Sequence, residues 1–366
     1  MNEILAKGNA DLANLVEMLL AWVIAPVGFC SDISQFYNSI HLDENDWQYQ
    51  QIVWYDDLDT SKKLRHGIIR TCIYGVTCVG AQTEYVMVLL ADETEPTCPE
   101  VAALLRKRRY VDDFGQSNEN DEVVQEIIKQ TEEALKKRDM TVKGWVVSGK
   151  NPPEKLSEDG ICVPFAGIIW IPKIDCYKLN ISSLHFSKKK RGRLPDDLQK
   201  LEGSFGKSVD QYTPKHLSRR MCTSVTARKF DPLGKAAPLD LRLKNDLRKL
   251  IFEDPDWDKA ISPDMRSRWV ENFQILEDIR DIRYARCEIP HDALRKSVRV
   301  WLQCDGADDG MIIVAHVGYE RTNGEYSCSH LIAKNLLSPS GWSTPRIELH
   351  ALSSLSNLKA FLESSL

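Results

Sequence analysis

Apolar residues in the first half of the chain alternate between helical and strand-like spacing. Residues 11–22 have the spacing of an amphipathic helix, and Pro26 and Gly28 end it before an apolar strand that carries Asp32. The remaining segments follow in chain order: strands at 47–55 and 64–74, helices at 81–92 and 98–108, a short hairpin at 110–114, a helix at 122–138, and a strand pair at 160–172 and 177–182.

The pattern changes after the lysine-rich residues 188–193. From residue 194 to about residue 286 the spacing of apolar positions is mainly helical. Residues 298–304, 311–319 and 325–334 then alternate like three strands joined by short turns, and residues 346–366 return to a helical pattern. This order predicts the beginning of an α/β domain.

The composition is typical of a folded chain with more than one domain. At 366 residues, with 43% hydrophobic and 28% charged residues, the chain should form two or three domains. The formal net charge of -5 argues against a nucleic-acid partner, because such proteins usually carry an excess of Lys and Arg. Two basic clusters, at 106–109 and 188–193, leave the question open, since each could be a solvated face or a contact for phosphates.

The cysteines and the hydropathy of the chain indicate the cellular compartment in which it is found. The ten cysteines include no CxxC pair, as in chains kept in a reducing compartment, so we assign neither a disulfide nor a zinc site. The most apolar stretch, residues 15–30, contains Glu17 and Pro26 and is too short to cross a membrane. We expect an intracellular protein, cytoplasmic or nuclear, that is not secreted and has no membrane partner.

Three aspartates form the strongest candidate for a chemical site. Asp32 ends an apolar strand, and Asp112 and Asp113 occupy a tight turn between two apolar flanks, so all three can meet at one edge of a sheet. Clustered carboxylates repel one another unless they bind cations, and oxygen ligands suit Mg²⁺, or Mn²⁺ in its place. Two such ions support in-line phosphoryl transfer, which is the chemistry of a polymerase. The alternative is that the Asp-Asp pair merely forms an exposed turn.

The residues that follow Asp32 resemble the first carboxylate motif of reverse transcriptases, in which an aromatic residue comes five positions after the aspartate. Tyr37 occupies that position. The resemblance implies that its ring excludes the 2′-hydroxyl of a ribonucleotide and so selects deoxynucleotides, and that the backbone of Ile33 helps to bind the metals and nucleotide. Alternatively, Phe36 and Tyr37 are both core aromatics.

Three further segments resemble motifs of the same family. Residues 74–77 resemble the segment beneath the template and nucleotide, which implies that Gly75 lines the nucleotide floor. Residues 142–145 match the lysine-bearing motif, so Lys143 would donate a proton to the leaving pyrophosphate. Residues 165–170 look like the hairpin that grips the primer, with Gly167 and Trp170 in that role; the alternative is that Trp170 belongs to the core.

The order of these pieces resembles the pol polyprotein of Bel/Pao long-terminal-repeat retrotransposons over nearly the whole chain. Residues 2–8 look like the end of the fingers region of these elements. The most distinctive segment resembles the Pao retrotransposon peptidase family and consists of Phe230-Asp231-Pro232-Leu233-Gly234, Pro238, Lys244 and Asp256-Trp257-Asp258. We expect no aspartic peptidase, because neither Asp-Thr-Gly nor Asp-Ser-Gly occurs. We interpret the helical stretch as a thumb and connection, in which Phe230, Pro232 and Leu233 pack between two helices.

The end of the chain is similar to the ribonuclease H domain of the same elements. Asp305 on a strand and Glu348 at the start of a helix match the first two metal carboxylates of that domain, and a strand aspartate facing a helix glutamate can begin a two-metal nuclease site. The alternative is an exposed aspartate and a glutamate favoured by the helix dipole.

The sequence therefore predicts an α+β chain: a right-hand polymerase palm with a fingers remnant (1–160), a primer-grip hairpin and helical thumb or connection (161–290), and a partial RNase H-like α/β unit (295–366). The expected partners are an RNA template, an RNA/DNA duplex, deoxynucleotides, and a second subunit or the rest of a polyprotein. Basic fingers residues and late RNase H carboxylates are missing, so we expect weak or no activity from this chain. The competing hypothesis is a non-catalytic module of retroelement origin that binds nucleic acid or protein.

Overall fold

The computed structural model describes residues 2–3, 5–9, 12–182, 184, 186, 208–253 and 256–366. The basic cluster at 188–193 lies outside these residues, as does the start of the long helical stretch expected from residue 194. The chain divides into two compact units, Met1–Ile161 and Cys162–Leu366.

The first unit has one central antiparallel sheet, with helices packed on it. Its elements in chain order are α1 (Leu15–Val23), β1 (Val27–Ile33), β2 (Gln51–Tyr55), β3 (Leu64–Ile68), α2 (Val79–Thr94), α3 (Pro99–Lys107), β4 (Arg109–Tyr110), β5 (Asp113–Asn118), α4 (Asp121–Lys136) and β6 (Val142–Val147). The sheet has the strand order β4-β5-β1-β6, and β2 and β3 form a separate hairpin. Each predicted element of this half is present, with two differences in bounds. Residues 44–49 form a short 3-10 helix, so β2 begins at Gln51, and β3 ends at Ile68 rather than at residue 74.

The core of the first unit lies between the sheet and the helices. Phe29 and Phe114, on neighbouring strands, are fully buried, and α4 contributes Val124, Ile127 and Leu135. These helical positions are three, eight and eleven residues apart, which places them on one face. The amphipathic pattern seen in the sequence is therefore the face that covers the sheet.

In the described part of the second unit there are two sheets and four helices of eight or more residues. Its elements are β7 (Val163–Phe165), β8 (Ile168–Ile171), β9 (Cys176–Ile181), α5 (Val209–Tyr212), α6 (Arg219–Thr226), β10 (Lys229–Phe230), α7 (Ala237–Glu253), α8 (Pro263–Arg280), β11 (Tyr284–Ala285), β12 (Arg299–Ala307), β13 (Gly310–Glu320), β14 (Tyr326–Leu336) and α9 (Thr344–Ser365). One sheet has the order β10-β9-β8-β7, with β11 also paired to β9, and the other has the order β12-β13-β14.

Two details of the second unit differ from the sequence prediction. Residues 160–172 form a hairpin rather than one strand, because Ala166 and Gly167 both have positive φ (47° and 81°) and make a two-residue turn of the kind that joins twisted strands. Phe230 lies in β10, paired with Asn180 of β9, rather than between two helices.

The segment Asp231-Pro232-Leu233-Gly234 connects β10 to α7 and packs tightly against β14. The Asp231 carboxylate accepts hydrogen bonds from the backbone N–H groups of Lys235 and Ala236. Gly234 has a φ of 69°, and a Cβ atom there would lie 2.1 Å from the Ala333 carbonyl oxygen. The Ala333 N–H in turn donates to the Leu233 carbonyl oxygen at 3.0 Å. The 231–234 segment thus forms a close contact between the start of α7 and the three-stranded sheet.

The last helix covers one face of that sheet. The buried residues of α9 recur with helical spacing and face β12 and β13; they include Ile347, Ala351, Leu358 and Leu362. Among the residues that the structure describes, no helix has both the length and the apolar character needed to cross a lipid bilayer.

Candidate active site

Strand pairing brings the three aspartates of the first unit to one end of its sheet. Asp32 is directly opposite Asp113 in the antiparallel β1–β5 pair, and residues in such a pair point to the same face. The backbone N–H of Ile33 donates to the carbonyl oxygen of Asp112 at 3.0 Å, which holds the turn against β1. Ile33 itself is a buried core residue, so its contribution to the site is through the backbone.

The turn that carries Asp112 is strained and places a carboxyl group in a half-buried position. Val111 has a φ of 56°, which is rare for a β-branched residue. Burial raises the pKa of the Asp112 carboxyl, and the nearby charge of Asp32 raises it further. The charge of one carboxyl group therefore disfavours the charge of the other.

The two carboxylate oxygens of Asp32 differ in their bonding. Lys143 on β6 donates from Nζ to Asp32 Oδ2 at 2.9 Å, and this hydrogen bond raises the pKa of Lys143. Asp32 Oδ1 is buried without a hydrogen-bond partner, and such an oxygen is normally bonded to a donor or to a metal ion. Within the described ranges, no three His, Cys, Asp or Glu side chains are already grouped as ligands of one metal ion.

Tyr37 lies beside the aspartates and is braced by a second tyrosine. Its ring makes an edge contact with Tyr74, with 4.8 Å between the centroids. Burial raises the pKa of Tyr37, and the charge of Asp112 adds to the rise. Phe36 is buried in the core and Tyr37 is only partly buried, so Phe36 is the packing residue of the pair.

Gly75 follows Tyr74 in an exposed loop. It has a φ of 86°, and a Cβ atom there would meet no other atom within 4 Å. Its carbonyl oxygen accepts a hydrogen bond from Asn2 Nδ2 at 2.7 Å, and the Asn2 side chain also accepts from the Thr77 N–H. The glycine is therefore required by its backbone conformation, and the space above it is open.

The basic cluster at residues 106–109 binds carboxylates of its own unit. Arg106 pairs with Asp92 and Glu95, and Arg108 with Glu17. Arg109 is almost completely buried and pairs with Glu84 of α2. These three arginines therefore form ion pairs within the first unit. Sequence analysis did not identify Glu84, since no local pattern marks a helix residue that pairs with a strand 25 positions later.

The primer-grip candidates lie in the second unit. Gly167 is in the turn between β7 and β8, where a Cβ atom would lie 2.5 Å from the ring of Phe230. Trp170 is fully buried, and its indole N–H donates to Asp175 Oδ1 at 3.2 Å. The side chain of Trp170 is therefore part of the core, which was the alternative interpretation of the sequence.

The RNase H-like candidates also lie in the second unit. Asp305 is an exposed residue of β12, and its Oδ1 accepts from the N–H of Gly306 at 2.9 Å. A Cβ atom at Gly306 would lie 3.2 Å from the backbone nitrogen of Glu348, so β12 and the start of α9 are in close contact at these positions. The start of α9 therefore contacts β12 at Gly306, the residue that follows Asp305.

A protein-family model matches part of the second unit. Residues 218–366 match the family model of the Pao retrotransposon-like RNaseH-like domain. This range begins at the N-cap of α6 and includes both the helices and the three-stranded sheet. The description of this family is that of an RNase H-like domain. Together with the fold, the match shows that the chain resembles a piece of a Bel/Pao-like pol polyprotein.

Solved structures extend the resemblance to the whole fold. The foamy viral protease-reverse transcriptase dRH in complex with ds DNA has a TM-score of 0.54 and 13% identity, over 98% of this chain and 52% of that one. The foamy viral protease-reverse transcriptase in complex with RNA/DNA hybrid has a TM-score of 0.49 and 12% identity, over 96% of this chain and 39% of that one. The chain thus spans about half or less of these proteins. A search of curated proteins gave no match. The predicted mixed fold of a reverse transcriptase with an RNase H-like end is confirmed.

Proposed function

We propose that the chain is the RNA-directed DNA polymerase part of a retrotransposon, with the first unit as its catalytic palm. The observation that supports this most is the pairing of Asp32 with Asp113, beside the half-buried Asp112. The substrates would be deoxynucleotides, and the partners an RNA template and the RNA/DNA duplex made from it. The resemblance to a polyprotein and the ten cysteines without a CxxC pair support an intracellular location, cytoplasmic or nuclear.

The residues of the palm fit a two-metal nucleotidyl transfer. Asp32, Asp112 and Asp113 would hold Mg²⁺ or Mn²⁺, which activates the attacking hydroxyl and stabilises the leaving oxygen. Lys143 forms an ion pair with Asp32 through one oxygen, and in the reaction its ammonium group would donate a proton to the leaving pyrophosphate. Tyr37, held by Tyr74, would exclude the 2′-hydroxyl of a ribonucleotide, and Gly75 would leave room for the nucleotide.

The second unit would bind the duplex that the palm produces. The similar foamy viral protein of higher TM-score was solved with ds DNA. Asp305 and Glu348 supply two carboxylates from a strand and a helix in close contact, and they would take part in a second metal site. Gly167 and its hairpin would lie along the primer strand.

Primer extension by the full chain tests the polymerase proposal. A DNA primer on an RNA template is incubated with deoxynucleotides and Mg²⁺ or Mn²⁺, and wild type is compared with Asp112→Asn. Loss of one charged group that stabilises the transition state should lower the rate about 100-fold or more. Asp139→Asn is the control, because Asp139 is an exposed residue of the same unit whose positive φ of 55° asparagine also tolerates.

The alternative function gives a different result in the same samples. A non-catalytic binding module would bind the RNA/DNA duplex with the same affinity in wild type and Asp112→Asn, with or without Mg²⁺ or Mn²⁺. A palm that holds metal ions through Asp112 should instead bind the duplex more tightly with metal in wild type than in the variant. Equal affinity under all four conditions, without primer extension, would reject the polymerase proposal.

A further inference from the structure

The buried ion pair between Arg109 and Glu84 lies directly behind the candidate catalytic turn. The side chains of Arg109 and Glu84 are only 1% and 7% exposed. Arg109 Nη1 and Nη2 donate to the two oxygens of Glu84 at 3.0 and 2.7 Å, so the guanidinium binds the carboxylate in a bidentate manner. Glu84 is on α2, the helix that follows the loop of Gly75.

The same guanidinium also reaches the turn itself. Arg109 Nη1 donates to the carbonyl oxygen of Val111 at 2.5 Å, and Arg109 Nε donates to the carbonyl oxygen of Leu105 at 3.1 Å. Val111 is the residue with positive φ immediately before Asp112. A residue in that conformation persists only where the surrounding structure holds it, and the bond from Arg109 is a direct restraint on its peptide group.

The chemistry of arginine is explained better by a restraint on the Val111 peptide group than by a contribution to stability alone. A buried ion pair is costly to desolvate and is often no more stable than a well-packed apolar pair. A planar guanidinium, in contrast, can bind a carboxylate with two nitrogens and still direct a donor to a carbonyl group at a fixed angle. A lysine ammonium at this position would lack that geometry.

We propose that Arg109 and Glu84 are positioning residues that fix the turn of Asp112 and Asp113 for metal binding; this rests on the proposed polymerase function. Through Glu84, the turn is also tied to the helix next to the nucleotide floor. Neither residue touches the substrates, and both act through the backbone of Val111.

Two measurements on the full chain test the proposal with Arg109→Lys. The first is hydrogen exchange at the Ile33 amide, which donates to the Asp112 carbonyl and so reports on the turn without any activity. The second is Mn²⁺ binding, followed by water-proton relaxation. We expect faster exchange at Ile33 and an Mn²⁺ affinity lower by about tenfold or more, the usual effect of removing a group that orients a metal ligand. Arg106→Lys, at a more exposed ion pair of α3, should change neither.

Glu84→Gln keeps the shape of the pair and one acceptor for Arg109, and it replaces Arg109→Lys if that variant does not fold. It should shift both measurements in the same direction. Unchanged exchange at Ile33, or faster exchange with unchanged Mn²⁺ affinity, would overturn the proposal. Faster exchange in a protein whose wild type binds no Mn²⁺ and extends no primer would reject the polymerase function and the metal-binding role, and would leave only the restraint on the turn.

Discussion

At the scale of single residues, two features of the candidate site lower the stability of the folded state. Asp112 is half buried beside Asp32, and both burial and the like charge disfavour its ionised form. The strained φ of Val111 adds a cost that is typically about 1–3 kcal/mol for such a residue. Groups that reduce stability but are held in place by specific contacts are typical of functional sites.

We predict that Asp112→Asn stabilises the metal-free protein at neutral pH. A carboxyl whose folded pKa is raised favours folding below its unfolded pKa, and that contribution is lost as pH rises through the folded pKa. Wild type should therefore melt below the variant at pH 7, and the difference should vanish below about pH 4, near the ordinary pKa of aspartate. Thermal unfolding by circular dichroism measures this. Asp139→Asn should show no such pH-dependent gain, and a variant less stable than wild type at pH 7 would contradict the prediction.

The site residues differ in how far the sequence alone could identify them. The sequence alone could identify the three aspartates Asp32, Asp112 and Asp113, because they lie at the ends of apolar strands. Pairing of those strands then brings their ends together. Tyr37 was suggested by its spacing from Asp32. Arg109 and Glu84 were missed because a charge pair between a helix and a strand depends on the tertiary fold, which leaves no local period in the sequence.

At the scale of elements, local signals were sufficient wherever the element is amphipathic. The helix α4 and the strands β12, β13 and β14 lie within a few residues of their predicted bounds. The short strands β10 and β11 were missed within a stretch that reads as helical, because two-residue strands are set by their partner β9 rather than by their own pattern.

Two glycine-to-alanine substitutions test whether the 231–234 segment before α7 packs closely against β14. Gly234→Ala and Gly341→Ala both place alanine at positive φ (69° and 78°), so both should lose about 1–2 kcal/mol from the backbone. At Gly341 nothing lies within 4 Å of the new Cβ, whereas at Gly234 it meets the Ala333 carbonyl oxygen. Gly234→Ala should therefore cost about 1–3 kcal/mol more. Urea unfolding of the full chain measures the difference, and equal losses in the two variants would show that this contact is not tight.

At the scale of the whole molecule, the two largest apolar clusters described here each belong to one unit. The cluster that contains Phe29 and Phe114 draws all its buried members from residues 29–147, and the cluster around Trp269 and Phe273 draws its own from the second unit. A core that is complete within one stretch of chain is what allows that stretch to fold by itself.

We therefore predict that residues 1–161 fold without the second unit. A chain of this length is within the range of single domains, and every strand of its sheet is included. Urea unfolding should be cooperative, with an m value of about 1–3 kcal/mol/M, and near-ultraviolet circular dichroism should show ordered aromatic residues. Residues 1–138 are the control, because they lack β6 and leave β1 unpaired on one side. If the 1–161 protein instead binds a hydrophobic dye and lacks a near-ultraviolet signal, it is a molten globule. The core of the first unit would then depend on the rest of the chain.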